Sequence, residues 1–421
     1  MRILHINTLD IEGGAARATH KLHKQLLRQN VNSNLLVLVK NGSDNEVVNI
    51  ERKNVSLYEK FRRFFLKLYL KIVFKLYIHT KQEVFSDDRS CHGQKRIFLH
   101  AEKYDLLNLH WISRFIDYRQ FFKHISSEKK PIVWRLADMN PFTGGCHYDF
   151  NCNKYIAECG ACPQLSSNNK NDLSSRIWKR KNTAFSMISP ESIHLVALSN
   201  WMIEKVKKSP FFSKFPITLI PNGVNLNTFQ PKNKMKIRED LKISNNKKVL
   251  LCIAHSLSNP RKGLSYAIEA INILENINDY AVITVGNIDK RVSFKCSHFH
   301  FDWTANNEEL AWYYNAADIF LFSSTEENFP NTVIESMACG TPAVGFAIGG
   351  VPDIIEDNVN GLLVKEVDSK QMSEQIERIF SDRDLLLEMG KKGLEKCKKK
   401  YNIETQTRKY IDLYKKILNL Y

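Results

Sequence analysis

The fold of this chain is decided by the stretch Glu327-Asn328-Phe329-Pro330-Asn331-Thr332-Val333-Ile334-Glu335, in which two carboxylates stand eight positions apart. Before it, the apolar run 316–324 has the composition of a strand buried on both faces of a parallel sheet. After it, Gly340 and Pro342 end a short helix. Open α/β sheets bind ligands outside the carboxyl ends of their strands. Glu327 is therefore predicted on a loop that leaves a strand, and Glu335 in the following helix, both at a ligand-binding edge.

The residues between the two carboxylates have the chemistry of a nucleotide-sugar site. The backbone amides at Asn331 and Thr332 begin a helix, and a helix N-terminus binds phosphate groups. The carboxylate of Glu335 can accept two hydrogen bonds from a ribose diol. This pattern predicts donor binding by Asn331, Thr332 and Glu335, together with the turn residues Phe329 and Pro330.

Strand-like apolar runs alternate with helical stretches in both halves of the chain. Such alternation predicts parallel, doubly wound α/β sheets. With 421 residues, the chain is long enough for two domains, each with its own core. We predict an N-terminal Rossmann-like domain at 1–215, a C-terminal Rossmann-like domain that binds the nucleotide sugar at 216–400, and a helix at 401–421.

The composition of 43% hydrophobic and 25% charged residues is ordinary for a soluble globular protein. No apolar run approaches the roughly 20 residues that span a membrane. The N-terminus enters a strand-like run without a signal-peptide pattern, so a cytoplasmic location is expected. In that compartment, nine cysteines are expected to be reduced thiols or metal ligands.

The formal net charge of +16 indicates an anionic partner. Between Lys60 and Lys81 there is no acidic residue, and aromatic residues surround a basic stripe with helical spacing. The stripe comprises Lys60, Arg63, Lys67, Lys71 and Lys75. A basic amphipathic helix at about 57–80 favours an anionic membrane surface, whereas the alternative is a helix packed on its domain with solvated lysines. No zinc-finger or RNP-like pattern appears, so nucleic acid is not expected as a partner.

A cysteine-rich segment at 146–162 holds four thiols with the spacing Cys-x5-Cys-x6-Cys-x2-Cys. Its members are Cys146, Cys152, Cys159 and Cys162. The final Cys-Gly-Ala-Cys is similar to a zinc knuckle. The first spacing is loose for a zinc ribbon, and His147 could replace one thiolate. The segment predicts a structural zinc ion, with four reduced thiols as the alternative.

Two further segments supply groups that suit phosphate. Gly13 and Gly14 lie between a strand and a helix, where the lack of side chains lets backbone amides approach an anion. Lys262 precedes a helix and offers a point charge to a diphosphate, while Arg261 could chelate two oxygens. An ordinary turn and ordinary surface charge are the alternatives. Beside the two carboxylates, we predict donor binding by all four residues.

In order along the chain, these segments resemble the motifs of retaining glycosyltransferases of family 4, which have the GT-B fold. The resemblance rests on the first strand with Gly13-Gly14, the Pro221-Asn222-Gly223 hinge, Arg261-Lys262-Gly263, the Glu-x7-Glu motif at 327–335, and Gly349-Gly350-Val351-Pro352-Asp353. The segment 138–148 resembles, more specifically, a bacterial branch of this family that builds surface polysaccharides.

The resemblance implies two Rossmann-like domains facing across a cleft, with the C-terminal helix crossing back onto the N-terminal domain. It implies a UDP- or GDP-linked sugar as donor and a lipid-linked glycan as acceptor, in the synthesis of O-antigen, capsule or exopolysaccharide. The enzyme would then work peripherally on the cytosolic face of the inner membrane. No cofactor is expected for catalysis, because Lys262 and helix N-termini neutralise the charge that a divalent ion neutralises elsewhere. Asp382-Arg383-Asp384, which imitates a metal motif, is interpreted as a helix cap.

The sequence departs from the family pattern at two places. Many relatives carry a histidine that reaches the donor sugar where this chain has Ala137, and Gly-Arg where it has Ala254-His255. With Ala137 unable to serve, His110 and Asp138 are the nearest polar candidates in the N-terminal half. We therefore predict Glu327, His110 and Asp138 as catalytic residues.

Other functions are consistent with parts of this pattern. A glycosidase would use the two carboxylates as acid and nucleophile, a nucleotide-sugar epimerase would share the two-domain scaffold, and a non-catalytic scaffold would only bind the membrane. Nucleotide binding would exclude the glycosidase and the scaffold, and release of a free epimerised nucleotide sugar would identify the epimerase.

Overall fold

The computed structural model describes residues 1–50, 57–77, 85–288 and 292–420. Residues 78–80 of the predicted amphipathic helix and residue 421 lie outside the described residues. The chain forms two compact units, one comprising Met1–Ile220 with Thr407–Tyr421 and the other comprising Pro221–Gln406. The sequence-based divisions at 215 and 400 lie a few residues before these.

Within the described residues, the first unit contains one parallel sheet. Its strands are β1 (Arg2–Leu9), β2 (Asn32–Val39), β3 (Val47–Asn49), β4 (Leu106–Leu109), β5 (Ile132–Arg135), β6 (Ile193–Ala197) and β7 (Ile217–Leu219). Their order across the sheet is β3-β2-β1-β4-β5-β6-β7. The helices are α1 (Gly14–Arg28), α2 (Leu57–Tyr77), α3 (Lys95–Ala101), α4 (Tyr118–Glu128), α5 (Leu173–Ser186) and α6 (Asn200–Lys207).

The second unit repeats this architecture with a parallel sheet in the described residues. Its strands are β8 (Lys248–Ser256), β9 (Tyr280–Asn287), β10 (Ser297–Phe301), β11 (Ile319–Phe322), β12 (Ala343–Phe346) and β13 (Gly361–Val364), in the order β10-β9-β8-β11-β12-β13. Its helices are α7 (Lys234–Asp240), α8 (Leu264–Asn272), α9 (Asn307–Ala316), α10 (Asn331–Ala338), α11 (Val351–Ile354), α12 (Ser369–Ser381) and α13 (Arg383–Lys400), and α14 (Ile403–Ile417) follows. The predicted α/β class, with two Rossmann-like parallel sheets, is confirmed.

One face of the first sheet is covered by an aromatic core. The ring of Trp134 on β5 stacks on Phe122 of α4 with centroids 5.4 Å apart, and Phe185 of α5 lies 4.8 Å from Phe122 and 4.9 Å from Phe212. Aromatic pairs of this kind stabilise by about 0.5–1.5 kcal/mol beyond their buried area. The core therefore holds α4 and α5 against the strand that leads into the Asp138 loop.

The opposite face of the first sheet packs against α1 and the end of the chain. Leu22 and Leu26 of α1 lie in one buried cluster with Tyr410 and Tyr414 of α14. The Nδ2 group of Asn108 on β4 donates a hydrogen bond of 2.5 Å to the hydroxyl of Tyr414. The chain thus returns to its first unit, as predicted for the C-terminal helix.

Besides His147, three histidines are buried in the described part of the first unit: His5 on β1, His23 on α1, and His110 directly after β4. The Nδ1 atom of His5 lies 2.9 Å from Nε2 of His110, and Nδ1 of His23 lies 2.8 Å from the hydroxyl of Ser33. Burial lowers the pKa of all three rings, and lowers the pKa of His23 to about 4. The rings are therefore neutral in the folded protein at pH 7.

Stability should fall as the pH is lowered from about 6.5 towards about 4. The unfolded chain binds a proton at each histidine below about pH 6.5, whereas the folded chain keeps His23 neutral until about pH 4. This contribution is therefore complete above pH 6.5 and is lost below it. We expect His23→Gln to abolish about 2–3 kcal/mol of the wild-type loss between pH 7 and pH 4, measured by urea unfolding. His124→Gln, at a half-buried histidine of the same unit, is the control, and identical pH dependence in wild type and His23→Gln would refute the assignment.

Candidate functional site

Three of the predicted site residues form one ion cluster in the second unit. The Nζ atom of Lys262 lies 2.8 Å from Oε2 of Glu327, and Nη1 of Arg261 lies 3.0 Å from the same oxygen. The same Nη1 group donates to the carbonyl oxygen of Glu326 at 2.7 Å. Arg261 and Lys262 follow β8, while Glu327 follows β11. Parallel folding thus brings together side chains that are 65 positions apart in sequence.

The turn that carries the two cations is fastened to the end of β11. Its carbonyl groups accept hydrogen bonds from the hydroxyl of Ser323, 3.0 Å from the Lys262 oxygen, and from the backbone N–H of Thr325, 2.8 Å from the Arg261 oxygen. Gly263 has φ +65°, and a Cβ there would lie 1.9 Å from the carbonyl oxygen of Ser323. The glycine is therefore required for the cations to lie this close to the strand.

A glycine pair fixes the backbone of Glu327. The N–H of Gly350 donates to the carbonyl oxygen of Glu327 at 3.1 Å. Gly349 has φ +51°, and a Cβ there would come within 1.8 Å of that oxygen. The sequence showed this Gly-Gly as a family motif without a role, and the structure assigns it the positioning of Glu327.

The second carboxylate of the Glu-x7-Glu motif lies inside α10. Glu335 is only 4% exposed, and its Oε2 accepts a hydrogen bond from the hydroxyl of Tyr314 at 3.3 Å. Asn331 begins the helix, and its Oδ1 accepts from Nδ2 of Asn222 at 2.9 Å. The sequence analysis missed Asn222 as a site residue, although it lies in the quoted Pro-Asn-Gly hinge.

The turn before α10 is packed rather than open. Phe329 is 6% exposed, and its ring lies edge-on to Tyr401 with centroids 5.6 Å apart. Pro330 is buried at the cap position of the helix, and Thr332, the second helical residue, is half-buried. Phe329 and Pro330 therefore support the helix start, and the amide groups at Asn331 and Thr332 remain the candidates for direct donor contact.

The glycine loop of the first unit is held by a carboxylate that the sequence analysis missed. Gly13 has φ +86°, and a Cβ at Gly13 or Gly14 would meet no atom within 4 Å. Asp10 is buried and accepts hydrogen bonds from the backbone N–H groups of Asn41 at 3.0 Å and Gly42 at 2.7 Å. The two glycines thus border open space, while Asp10 ties their loop to the one after β2.

The two catalytic candidates of the first unit are engaged in buried networks. His110 is 2% exposed and contacts His5 as described above. Asp138 is 7% exposed, and its Oδ2 accepts from Nε1 of Trp111 at 2.9 Å and pairs with Nδ1 of His147 at 2.6 Å. Both networks fix these side chains within the first unit.

His147 continues the Asp138 network instead of joining the cysteines. Its Nε2 lies 2.9 Å from the hydroxyl of Ser86, so both ring nitrogens are engaged. These contacts disfavour the alternative in which His147 replaces a thiolate at a metal site. The arrangement Ser86–His147–Asp138 ties the segment after α2 to the loop after β5.

The four cysteines of the segment 146–162 line one cavity of about 160 Å³ together with Phe85 and Tyr155. Burial raises the pKa of Cys146 and Cys162, and raises that of Cys159 to about 12. Across the described residues, no three His, Cys, Asp or Glu side chains are grouped so that they could hold a metal ion. The structural zinc ion stays a prediction.

Two further residues that the sequence pointed to, Asp382 and His255, lie in the second unit. Asp382 caps α13, because its Oδ1 accepts from the backbone N–H of Leu385 at 2.9 Å, as predicted. His255, at the position where the resemblance implies an arginine, is exposed and lies edge-on to Trp303 with ring centroids 5.3 Å apart. It is therefore placed at the carboxyl end of β8, a few residues before the two cations.

Comparison with known families and proteins supports a glycosyltransferase. The family model of glycosyl transferases group 1 matches residues 233–396. An uncharacterized glycosyltransferase of Methanocaldococcus jannaschii, MJ1607, is 24% identical over 334 residues, which are 75% of this chain and 76% of that protein. The capsular polysaccharide biosynthesis glycosyltransferase CapM of Staphylococcus aureus is 22% identical over 220 residues, 49% of this chain and 57% of CapM.

Solved structures establish the GT-B fold. Sucrose-phosphate synthase from Thermosynechococcus elongatus superposes with a TM-score of 0.70 at 16% identity, covering 100% of both chains. HepE of Anabaena, solved in complex with UDP, superposes with a TM-score of 0.65 at 16% identity, covering 99% of this chain and 100% of that one. The likeness extends over both units, beyond the region that the family model matches.

If the cysteine segment binds zinc, the metal should copurify with the protein, because thiolates are strong zinc ligands. We expect about one zinc ion per chain by elemental analysis of protein purified without an affinity metal, a ratio that follows from four ligands per structural site. Cys159→Ser should lower this ratio, whereas Cys252→Ser, at a buried cysteine of the second unit, should not. A folded, metal-free protein with four titratable thiols in this segment would exclude the site.

Proposed function

We propose that this protein is a retaining glycosyltransferase that moves a sugar from a nucleoside-diphosphate donor to a lipid-linked glycan in the synthesis of bacterial surface polysaccharide. The observation that carries the proposal is the cluster of Arg261, Lys262 and Glu327 beyond the carboxyl ends of β8 and β11. Two cations and a carboxylate at this edge suit a diphosphate joined to a sugar. Glu335, on the next helix, is the proposed ribose ligand.

The proposed roles follow from the charges. Lys262 and Arg261 bind the diphosphate and stabilise the negative charge that grows on the leaving group. Because these two side chains neutralise that charge, no cofactor is proposed for catalysis. Glu327 orients the sugar ring through its hydroxyl groups, and a carboxylate nearby favours an oxocarbenium-like transition state. On the acceptor side, His110 and Asp138 are proposed to position the loops that follow β4 and β5.

The names of two similar proteins support the proposed donor and the proposed acceptor. HepE is described in complex with UDP-glucose, which favours UDP over GDP as the nucleotide of the proposed donor. CapM is named for capsular polysaccharide biosynthesis, which favours a surface glycan as acceptor. The ion cluster disfavours the glycosidase alternative, because two adjacent cations suit a diphosphate, which the substrate of a glycosidase lacks.

Replacing Glu335 should weaken nucleotide binding. A ribose diol would lose its charged acceptor, and hydrogen bonds to charged groups contribute about 1.5–3 kcal/mol. We expect Glu335→Gln to weaken UDP binding by this amount in calorimetry, and to leave pyrophosphate binding unchanged because pyrophosphate has no ribose. Equal UDP affinity in the variant and the wild type would remove Glu335 from the site.

The helix α2 supports a membrane surface as partner. It exposes Phe61 and Phe64 by 62% each and Phe65 by 61%, and Lys67 and Lys71 are exposed as well. A helix packed on its domain would bury such rings, so the packed alternative is disfavoured. No described helix is long and apolar enough to cross a bilayer. We therefore propose that α2 lies in the headgroup region of an anionic membrane, on the cytosolic face of the inner membrane where the acceptor would be found.

Charge reversal on α2 should release the protein from anionic vesicles. Each basic residue near such a surface contributes roughly 1 kcal/mol, so replacing Lys67, Lys71 and Lys75 with Glu should abolish sedimentation with phosphatidylglycerol liposomes at low salt. UDP binding should be unaffected. The control replaces three exposed lysines of α13, at 391, 398 and 399, for the same change of charge. The proposal fails if wild type stays in the supernatant, or if both triple variants are released equally.

A further inference from the structure

The ion cluster of the second unit contains a competitor for the anion that it is proposed to bind. The side chains of Arg261 and Lys262 are only 13% and 25% exposed. Two adjacent cations at such burial need a counter-charge. The carboxylate of Glu327 supplies it through Oε2, which contacts both cations. A diphosphate would need the same cation atoms.

We propose, resting on the proposed function, that Glu327 is the resident counter-ion of Arg261 and Lys262 and that the donor diphosphate displaces it. A diphosphate carries more negative charge and more acceptor oxygens than one carboxylate, so it is the stronger partner of the two cations. The displaced carboxylate is 14% exposed and needs new hydrogen-bond donors. The hydroxyl groups of the donor sugar provide them.

The backbone around Glu327 allows this exchange as a rotation of one side chain. The Gly350 N–H holds the carbonyl oxygen of Glu327 at 3.1 Å, and Gly349 packs against it. The turn that carries the two cations is held by different hydrogen bonds, which its carbonyl groups accept from Ser323 and Thr325. Both backbone segments can thus remain in place while the carboxylate changes partners.

The exchange makes the site discriminate between donor and product. A sugar nucleotide satisfies the two cations with its diphosphate and Glu327 with its sugar. A nucleoside diphosphate alone takes the cations and offers no sugar hydroxyl groups to Glu327. After transfer, the carboxylate therefore competes for Arg261 and Lys262 again, which weakens product binding and speeds product release. A static role, in which Glu327 holds the cations in binding positions, requires the opposite effect on anion affinity.

The test is calorimetric binding of inorganic pyrophosphate, UDP, GDP and UDP-glucose to wild type and Glu327→Gln. Glutamine keeps the shape of the side chain and removes its charge. We expect the variant to bind pyrophosphate and UDP about tenfold more tightly, since a charge-assisted competitor is lost. The gain for UDP-glucose should be smaller, because the sugar loses a charged partner, and release of UDP in stopped flow should be slower by a similar factor.

The chain offers a matched control at the other end of the same sheet. Asp318, which precedes β11, bridges Lys234 and Arg238 at 2.8 Å each and is 15% exposed, close to the exposure of Glu327. Asp318→Asn makes the same change of charge and should leave pyrophosphate affinity unchanged. Thermal unfolding verifies that each variant is folded. If Asp318→Asn unfolds, the control becomes Glu308→Gln, which removes the charge of an exposed carboxylate paired with Lys232.

Unchanged or weaker pyrophosphate binding by Glu327→Gln overturns the proposal, and so does equal tightening in the control, because that would be a general effect of charge. If Glu327→Gln does not fold, Glu327→Asp, whose shorter side chain withdraws from the cations, should tighten pyrophosphate binding by a smaller factor. Wild-type protein that binds none of the four ligands overturns the proposed donor site as well. Wild-type binding without tightening in the variants overturns only the exchange.

Discussion

Two adjacent cations held largely out of water, Arg261 and Lys262, are the constraint on which the second unit depends. Like charges so close together repel, and partial burial removes the water that would screen them. In the structure, the carboxylate of Glu327 contacts both cations, and the carbonyl oxygen of Glu326 accepts a hydrogen bond from Arg261. Both acceptors come from the loop after β11, so that loop and the turn after β8 must lie within hydrogen-bond distance. The required approach explains why Gly263 stands where any Cβ would collide with a strand carbonyl.

The two units use their buried charges for different purposes. In the first unit, the carboxylates of Asp10 and Asp138 are each bound by several donors of the same unit, which fixes the loops beyond β2 and β5. In the second unit, both cations contact one carboxylate oxygen, for which the proposed sugar-nucleotide donor offers alternative partners. The first arrangement is rigid because every bond is internal. The second is proposed to be exchangeable, because a diphosphate can replace one partner of the cations with a stronger one.

Alternating apolar runs were enough to predict two parallel sheets, because strands buried on both faces have a distinct composition. Sequence spacing also placed Glu327 and Lys262 at strand ends, and parallel strands of one sheet end at one edge. Whether those ends become neighbours depends on strand order, and β8 and β11 adjoin only in the fold. For the same reason the contact of His147 with Asp138 was missed, since a histidine near four cysteines has no local signal that favours a carboxylate. The burial of Phe329 depends on Tyr401, a tertiary contact beyond any local pattern.

In the ion cluster, charged groups are largely removed from water, whereas on α2 apolar rings are exposed to it. Contiguous exposed aromatic side chains mark a surface that is covered by something else in the working protein. A second copy of this helix would cover the rings of Phe61, Phe64 and Phe65, but it would bring two lysine stripes together, and like charges across an interface oppose association. An anionic bilayer covers the rings with its acyl region and neutralises the lysines with its headgroups at the same time. One partner then satisfies both the apolar and the charged part of the helix, which self-association does not.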